Sequence, residues 1–271
     1  MSNEHHVHGM DGNPDFILLL LGLGALLLYL YAVVKSNRMY RKWPFARAIY
    51  WFLGLLCALL SVAGPLARFA HINFTAHMFD HLLLGMLAPL FIALASPVTL
   101  LLRTLPLQSS RRCARILRSL PFRILSDPFA SSTLNIGGLC ILYTTNLYAN
   151  MHHSYMLFLA VHLHVFLAGY LFTTSMIYID KPSHRTSYAY RSIAFILSMA
   201  AHGILSKTLY ANALDSIFSS VQVANGTMLM YYGGDAIEIL ILVIFFSQWF
   251  KSIHPRHTVI PIQKELYPSK K

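Results

Sequence analysis

Six stretches of about twenty apolar residues recur along this chain, and a seventh carries polar residues in its outer half. Each is long enough to cross a hydrocarbon layer of about 30 Å. In lipid every backbone polar group must be satisfied internally, so such a chain folds as a helix bundle or not at all. The expected spans are residues 16–34, 48–66, 77–101, 128–148, 154–178, 192–212 and 227–250. Only 11% of the 271 residues are charged and 56% are hydrophobic. That is less than half the charge of an average soluble domain. The expected class is an all-α integral membrane protein, a seven-transmembrane helix bundle. Residues 1–15 form a His-rich tail, 16–250 the bundle and 251–271 a basic tail. Short connections leave no room for a soluble domain between spans. The first segment has no preceding Lys or Arg and no small-x-small site, so it reads as a retained span rather than a signal peptide.

Positive charge sets the orientation. Nineteen of the 21 Lys and Arg residues fall in the first, third and fifth loops and the C-terminal tail. Arg191 is counted among the fifth-loop residues; the opposite face has only Arg68, and Lys207 lies within the sixth span. The N-terminus is therefore expected outside, the C-terminus in the cytoplasm, and parity requires an odd number of spans. The net charge of +11 is a topology signal and a contact for anionic membrane lipids. Nucleic-acid binding would need a soluble basic surface, which this pattern lacks. Cys57, Cys113 and Cys140 are isolated and contain no C-x-x-C, so neither a disulfide nor a thiolate metal site is expected.

On this topology eleven of the fourteen histidines lie outside or in the outer half of the bundle. An ionisable group inside an apolar helix marks function by default. His77 and His81 are i and i+4, so two imidazoles share one helix face. Met78 and Met86 add thioethers, which suit copper in its Cu(I) state, and Asp80 is placed to orient a histidine. His162 and His164 stand about 200° apart and cannot both face one site. The stripe through Tyr155, His162, Gly169 and Thr173 looks inward, which favours His162. His202, with Met199 one turn away, and the pair Asp235 and Glu238 complete the set. Depths of roughly 6–15 Å below the outer helix ends let His81, His162, His202 and Asp235 share one layer. The N-terminal His5, His6 and His8, and the loop residues His152 and His153 beside Met151, are candidate capture ligands. His71 has no assigned role.

These residues resemble the CtaG-type cytochrome c oxidase assembly factors. The resemblance rests on HMFDHLLLGMLAPLFIALASPVTLLLR, on HLHVFLAGYLF followed by Asp180 and Pro182, on Arg191 to His202, and on MYYGGDAIE. It covers about residues 45–250. It implies a multi-pass protein of the bacterial cell membrane, not an enzyme, that supplies copper to a cytochrome c oxidase subunit. Carried over by position, His77, His81, His164, His202 and Asp235 match the family's polar positions. On this point the resemblance favours His164 where the helical stripe favours His162.

Three other readings fit the same residues. An intramembrane zinc hydrolase, of the type seen in ceramidases and adiponectin receptors, would use Asp235 or Glu238 as base. A haem carrier would use paired histidines from different spans. A copper permease would need ligands in the inner half, where few are found.

Overall fold

The structure, a computed structural model, describes residues 14–151, 153–180, 184–212 and 218–253. His5, His6, His8, His152 and the tail from residue 254 lie outside the described residues. The described residues are all helical in their regular structure. Six helical segments are long and apolar enough to cross a membrane. They are α1 (Pro14–Met39), α2 (Phe45–Val62), the broken helix Phe74–Thr104, α11 (Tyr155–Met176), α12 (Tyr188–Ala211) and α13 (Ser220–Ile253).

The fourth expected span is shorter than its sequence suggests. Helix α9 (Pro128–Thr144) has 17 residues and so a length of roughly 26 Å. Asp127 starts it by accepting the Phe129 and Ala130 N–H groups. At the other end the Thr144 and Thr145 hydroxyls bond back to the carbonyls of Cys140 and Ile141, and the chain turns away. A separate turn of helix, α10 (Leu147–Met151), follows.

The third span is the axis of the bundle. In its most apolar window 61% of residues are buried, against 6% for α1, which packs at the rim on α2 and on α6 (Pro97–Thr104). Helix α4 (Phe74–Leu82) packs on α13, and α5 (Ala88–Ala95) packs on α2 and α11. Between α4 and α5, residues Leu83–Leu87 form a π-helical turn. Pro89 explains it: with no N–H at position 89 the Gly85 carbonyl has no i+4 donor, and the Ala88 N–H reaches back to Leu83 instead. The Gly85 carbonyl then lies against Gly169 of α11, where any Cβ would collide with it.

A second break follows at Ser96, a fully buried residue with φ 54° and ψ 55°, just before Pro97. Asp180 holds the restarted helix α6. Its two oxygens accept the Val98 and Thr99 N–H groups at 3.2 and 2.9 Å.

Arg191 departs from its expected place in a basic loop. Helix α12 begins at Tyr188, so Arg191 lies inside it and is only 2% exposed. Its guanidinium donates to the Met176 carbonyl at 2.8 Å and stacks over Tyr178, Tyr188 and Phe245 at 4.1–5.1 Å. Near the same end, α7 (Leu107–Leu117) and α8 (Leu120–Leu125) are short surface helices with no buried residue.

Candidate functional site

Helix α4 supplies three consecutive elements of a buried polar line. Asn73 caps the helix by accepting the Ala76 N–H at 3.0 Å, which fixes the turn that carries His77. His77 Nε2 and the Tyr143 hydroxyl are hydrogen-bonded at 3.1 Å, and the Tyr148 ring meets the imidazole edge-on at 4.8 Å. One turn on, Asp80 Oδ2 lies 3.4 Å from His162 Nε2. The other ring nitrogen of His162, Nδ1, donates to the Phe158 carbonyl at 2.9 Å. A carbonyl only accepts, so this bond fixes the tautomer and leaves Nε2 as the atom facing Asp80. One proton must therefore sit between His162 and Asp80 for the contact to be a hydrogen bond.

A second imidazole–carboxylate pair lies deeper. His202 Nδ1 is 3.7 Å from Glu238 Oε1. The His81 and His202 rings are 6.5 Å apart between centroids. Both rings line a cavity with about 10 Å³ of room for a water centre, together with Met86, Asn135, Thr173 and Glu238. Gly234 makes the space for His202: a Cβ there would meet Nδ1 at 3.0 Å and press on the adjoining ring carbon. Four polar atoms in these pairs are buried without a hydrogen-bond partner: Asp80 Oδ1, His81 Nε2, His202 Nε2 and Glu238 Oε2. Each such atom in a native fold calls for an explanation, and although others occur elsewhere, Trp51 Nε1 and Arg191 Nε among them, these four are clustered.

Two further voids lie around the outer pair. One, of about 20 Å³, lies among His77, Asp80, His81, Tyr143 and His162. The other, of about 10 Å³, lies among Ser61, His71, His77, Asp80, Met151 and His162. Each has room for roughly one water or ion. His71 is exposed and leads to the outermost void. Partial burial lowers its pKa from the ordinary histidine value, and the charge of His162 lowers it further. Its imidazole is therefore neutral, and able to ligate, at more acidic pH than a free histidine.

The sequence-predicted residues separate into three groups. His77, Asp80, His81, His162, His202 and Glu238 are all buried and line these voids. Met86 lines the inner cavity. His164 is exposed and packs against Gly138 of α9, away from the voids. Asp235 is half-buried and absent from the cavity wall, which Glu238 occupies instead. The ranking of the two carboxylates is thus reversed, because 60° of helix rotation separates them. Met78 is fully buried but packs on Gly226 and the apolar core near Phe74. Met199 joins the apolar cluster of Leu82 and Ile237. His153 is exposed beyond the end of α10. Thr173, on the inward stripe of α11, lines the inner cavity with Asn135, and Tyr143 lines the void beside it; Asn135 and Tyr143 were not singled out, since one polar atom on an apolar span gives little signal.

Among the described residues no three His, Cys, Asp or Glu side chains converge around one point. The donors come in pairs, strung from His71 through Asp80–His162 to His81, His202 and Glu238. Such a line can pass a small cation or a proton between stations, one buried partner at a time.

An uncharacterized protein of Mycobacterium leprae is 26% identical over 258 residues, which cover 87% of this chain and 38% of that protein. An uncharacterized protein of Mycobacterium bovis is 26% identical over 255 residues, covering 85% and 38%. The chain thus spans under two fifths of the length of these curated relatives. No solved structure matches it. The family model of the cytochrome c oxidase caa3 assembly factor matches residues 27–252, the whole broken helix and both histidine–carboxylate pairs included, and the chain belongs to that family.

Proposed function

We propose that this chain carries copper as cargo and passes it to a haem–copper oxidase subunit at the outer membrane face. It does so as a carrier and not as an enzyme. The observation that supports this reading best is the pair of buried, unpartnered imidazole nitrogens, His81 Nε2 and His202 Nε2, lining one cavity with Met86 and Glu238. Imidazole and thioether donors suit Cu(I), a closed-shell ion that accepts two or three ligands without a fixed geometry. Each histidine–carboxylate pair holds a proton when empty. A cation takes the proton's place at little change in buried charge, so loading releases protons and protonation favours release. His71 and His77 serve entry, Asp80 with His162 forms the outer station, and His81 with His202 and Glu238 the inner one.

Pairing of donors also separates this reading from a zinc hydrolase. A catalytic zinc site needs three protein ligands and an open position, whereas the outer station offers one imidazole and one carboxylate. In this account seven spans cross the bacterial cell membrane, α9 being the short one, with the N-terminus outside. The basic loops lie at the end opposite the histidines, as that orientation requires.

Elemental analysis tests the proposal. Protein purified from copper-replete cells should retain copper, and His81→Ala with His202→Ala should lower its content about tenfold or more and reduce oxidase activity when copper is scarce. Unchanged copper content in the double variant would overturn the assigned site. Zinc in place of copper would overturn the cargo.

A further inference from the structure

A second cavity lies at the end of the bundle away from the buried histidines. It has about 570 Å³ of room and is bounded by α8, the start of α9 and the last turns of α11. That volume is in the range of small-molecule sites, and far larger than the voids around the histidines. Its inner wall is apolar, with Ala93, Ala130, Leu171 and Ile177. Two carboxylates border it, but both are already used. Asp127 accepts the N–H groups of Phe129 and Ala130 and the Tyr190 hydroxyl, and Asp180 caps α6. The remaining charged group on the wall is Arg123, with the His184 imidazole also on the wall, and neither makes an ion pair among the described residues.

The surface around the cavity has the same character. Helix α7 carries Arg111, Arg112 and Arg115, while Leu107, Ile116, Leu120 and Ile124 along α7 and α8 are exposed. Arginines beside exposed aliphatic side chains on short surface helices fit the level of lipid headgroups, where such basic segments gather anionic lipid. A cavity with an apolar floor, an unpaired arginine on its wall and further arginines on the neighbouring helix α7 complements a molecule with a hydrocarbon chain and an anionic head.

We propose that this cavity binds one anionic phospholipid from the adjoining leaflet. Its acyl segment would lie on the Ala93, Ala130 and Leu171 floor, and its phosphate would meet Arg123 and His184. The floor is made by the same segments that hold the third span in place: the Asp180 cap on α6 and the end of α11. A bound lipid would therefore brace the break at Ser96. The site is separate from the histidine-lined voids and stands whether or not copper is the cargo.

Native mass spectrometry of the delipidated full chain, titrated with phosphatidylglycerol and with phosphatidylcholine, tests it. One phosphatidylglycerol should bind at least about tenfold more tightly than phosphatidylcholine. Arg123→Gln with His184→Asn should remove that preference. Ala130→Phe, which fills the floor and keeps Arg123 and His184, should lower phosphatidylglycerol binding by a similar factor, and Leu171→Trp provides the same blockage if Ala130→Phe does not fold. Arg111→Gln with Arg112→Gln, on α7 outside the cavity wall, should leave the single bound lipid in place. Equal binding of the two lipids would overturn the proposal. So would undiminished binding in the blocked variant, or loss in the α7 variant equal to that in Arg123→Gln with His184→Asn, which would mean diffuse surface charge alone.

Discussion

Buried charge is handled in opposite ways at the two ends of this bundle. Near the basic loops, Arg191 is enclosed by three aromatic rings and donates from Nη1 to the Met176 carbonyl, its Nε alone lacking a partner, and Asp180 gives both oxygens to a helix N-terminus. Those groups are spent on holding helices together. At the histidine end, Asp80, His81, His202 and Glu238 each keep a buried atom without a partner, and their contacts of 3.4 and 3.7 Å are long for hydrogen bonds. A fold gains nothing from unsatisfied polar atoms. Four such atoms around two small adjoining voids, against the single Nε of Arg191, set the histidine end apart from the aromatic enclosure.

This contrast predicts that the two ends respond differently to mutation. The largest effect belongs to Arg191→Ala, which empties the aromatic enclosure and should destabilise the protein by about 3 kcal/mol or more, read as a large drop in thermal midpoint. Arg191→Met, which keeps the packing, should recover part of that loss. An unchanged midpoint in Arg191→Ala would erase the distinction between the two ends.

Asp80→Asn should do the reverse. It removes a buried carboxylate that is only loosely answered, so the midpoint should hold or rise while copper content falls about tenfold. A fall in stability as large as that of Arg191→Ala would make Asp80 structural. Gly234→Ala should push the His202 ring from its seat and lower copper content several-fold, with a modest stability loss of about 1 kcal/mol from repacking.

Smaller effects sort the candidate ligands. His71→Ala should slow copper loading two- to threefold near neutral pH without changing the amount held at equilibrium. Its pKa lies below the usual histidine value, so the ring stays neutral as pH falls toward that value and is protonated below it. The difference between wild type and His71→Ala should therefore persist at mildly acidic pH and close only below the lowered pKa, as a loading-rate profile from about pH 5 to 8 would show. His164→Ala should change copper content by less than about twofold, because His164 faces α9 and not the voids. A loss matching that of His81→Ala would restore His164 to the site.

Much of this was legible in the residues. Long apolar runs announced helices, and the i, i+4 pair His77 and His81 announced a face. The stripe through Tyr155, His162 and Gly169 pointed His162 inward, and the structure buries it. The resemblance by position, which favoured His164, did not carry helix rotation. Rotation is also why Glu238 rather than Asp235 lines the cavity, since two residues three apart on a helix share a face too coarsely to be ranked. Arg191 was hidden by the charge rule, which counts any arginine near a span end as a loop residue. The early end of α9 depended on two threonine hydroxyls competing for carbonyls. The π-turn needed Pro89 to be read for the donor that it lacks.

The central claim is that copper sits between imidazoles contributed by different helices. X-ray absorption at the copper edge of the loaded, purified chain tests it most directly. The account predicts a reduced copper ion with imidazole ligands and at most one sulfur, and loss of the imidazole signature in the variant combining His81→Ala and His202→Ala. An imidazole signature unchanged in that variant, or ligation by sulfur alone, would contradict it.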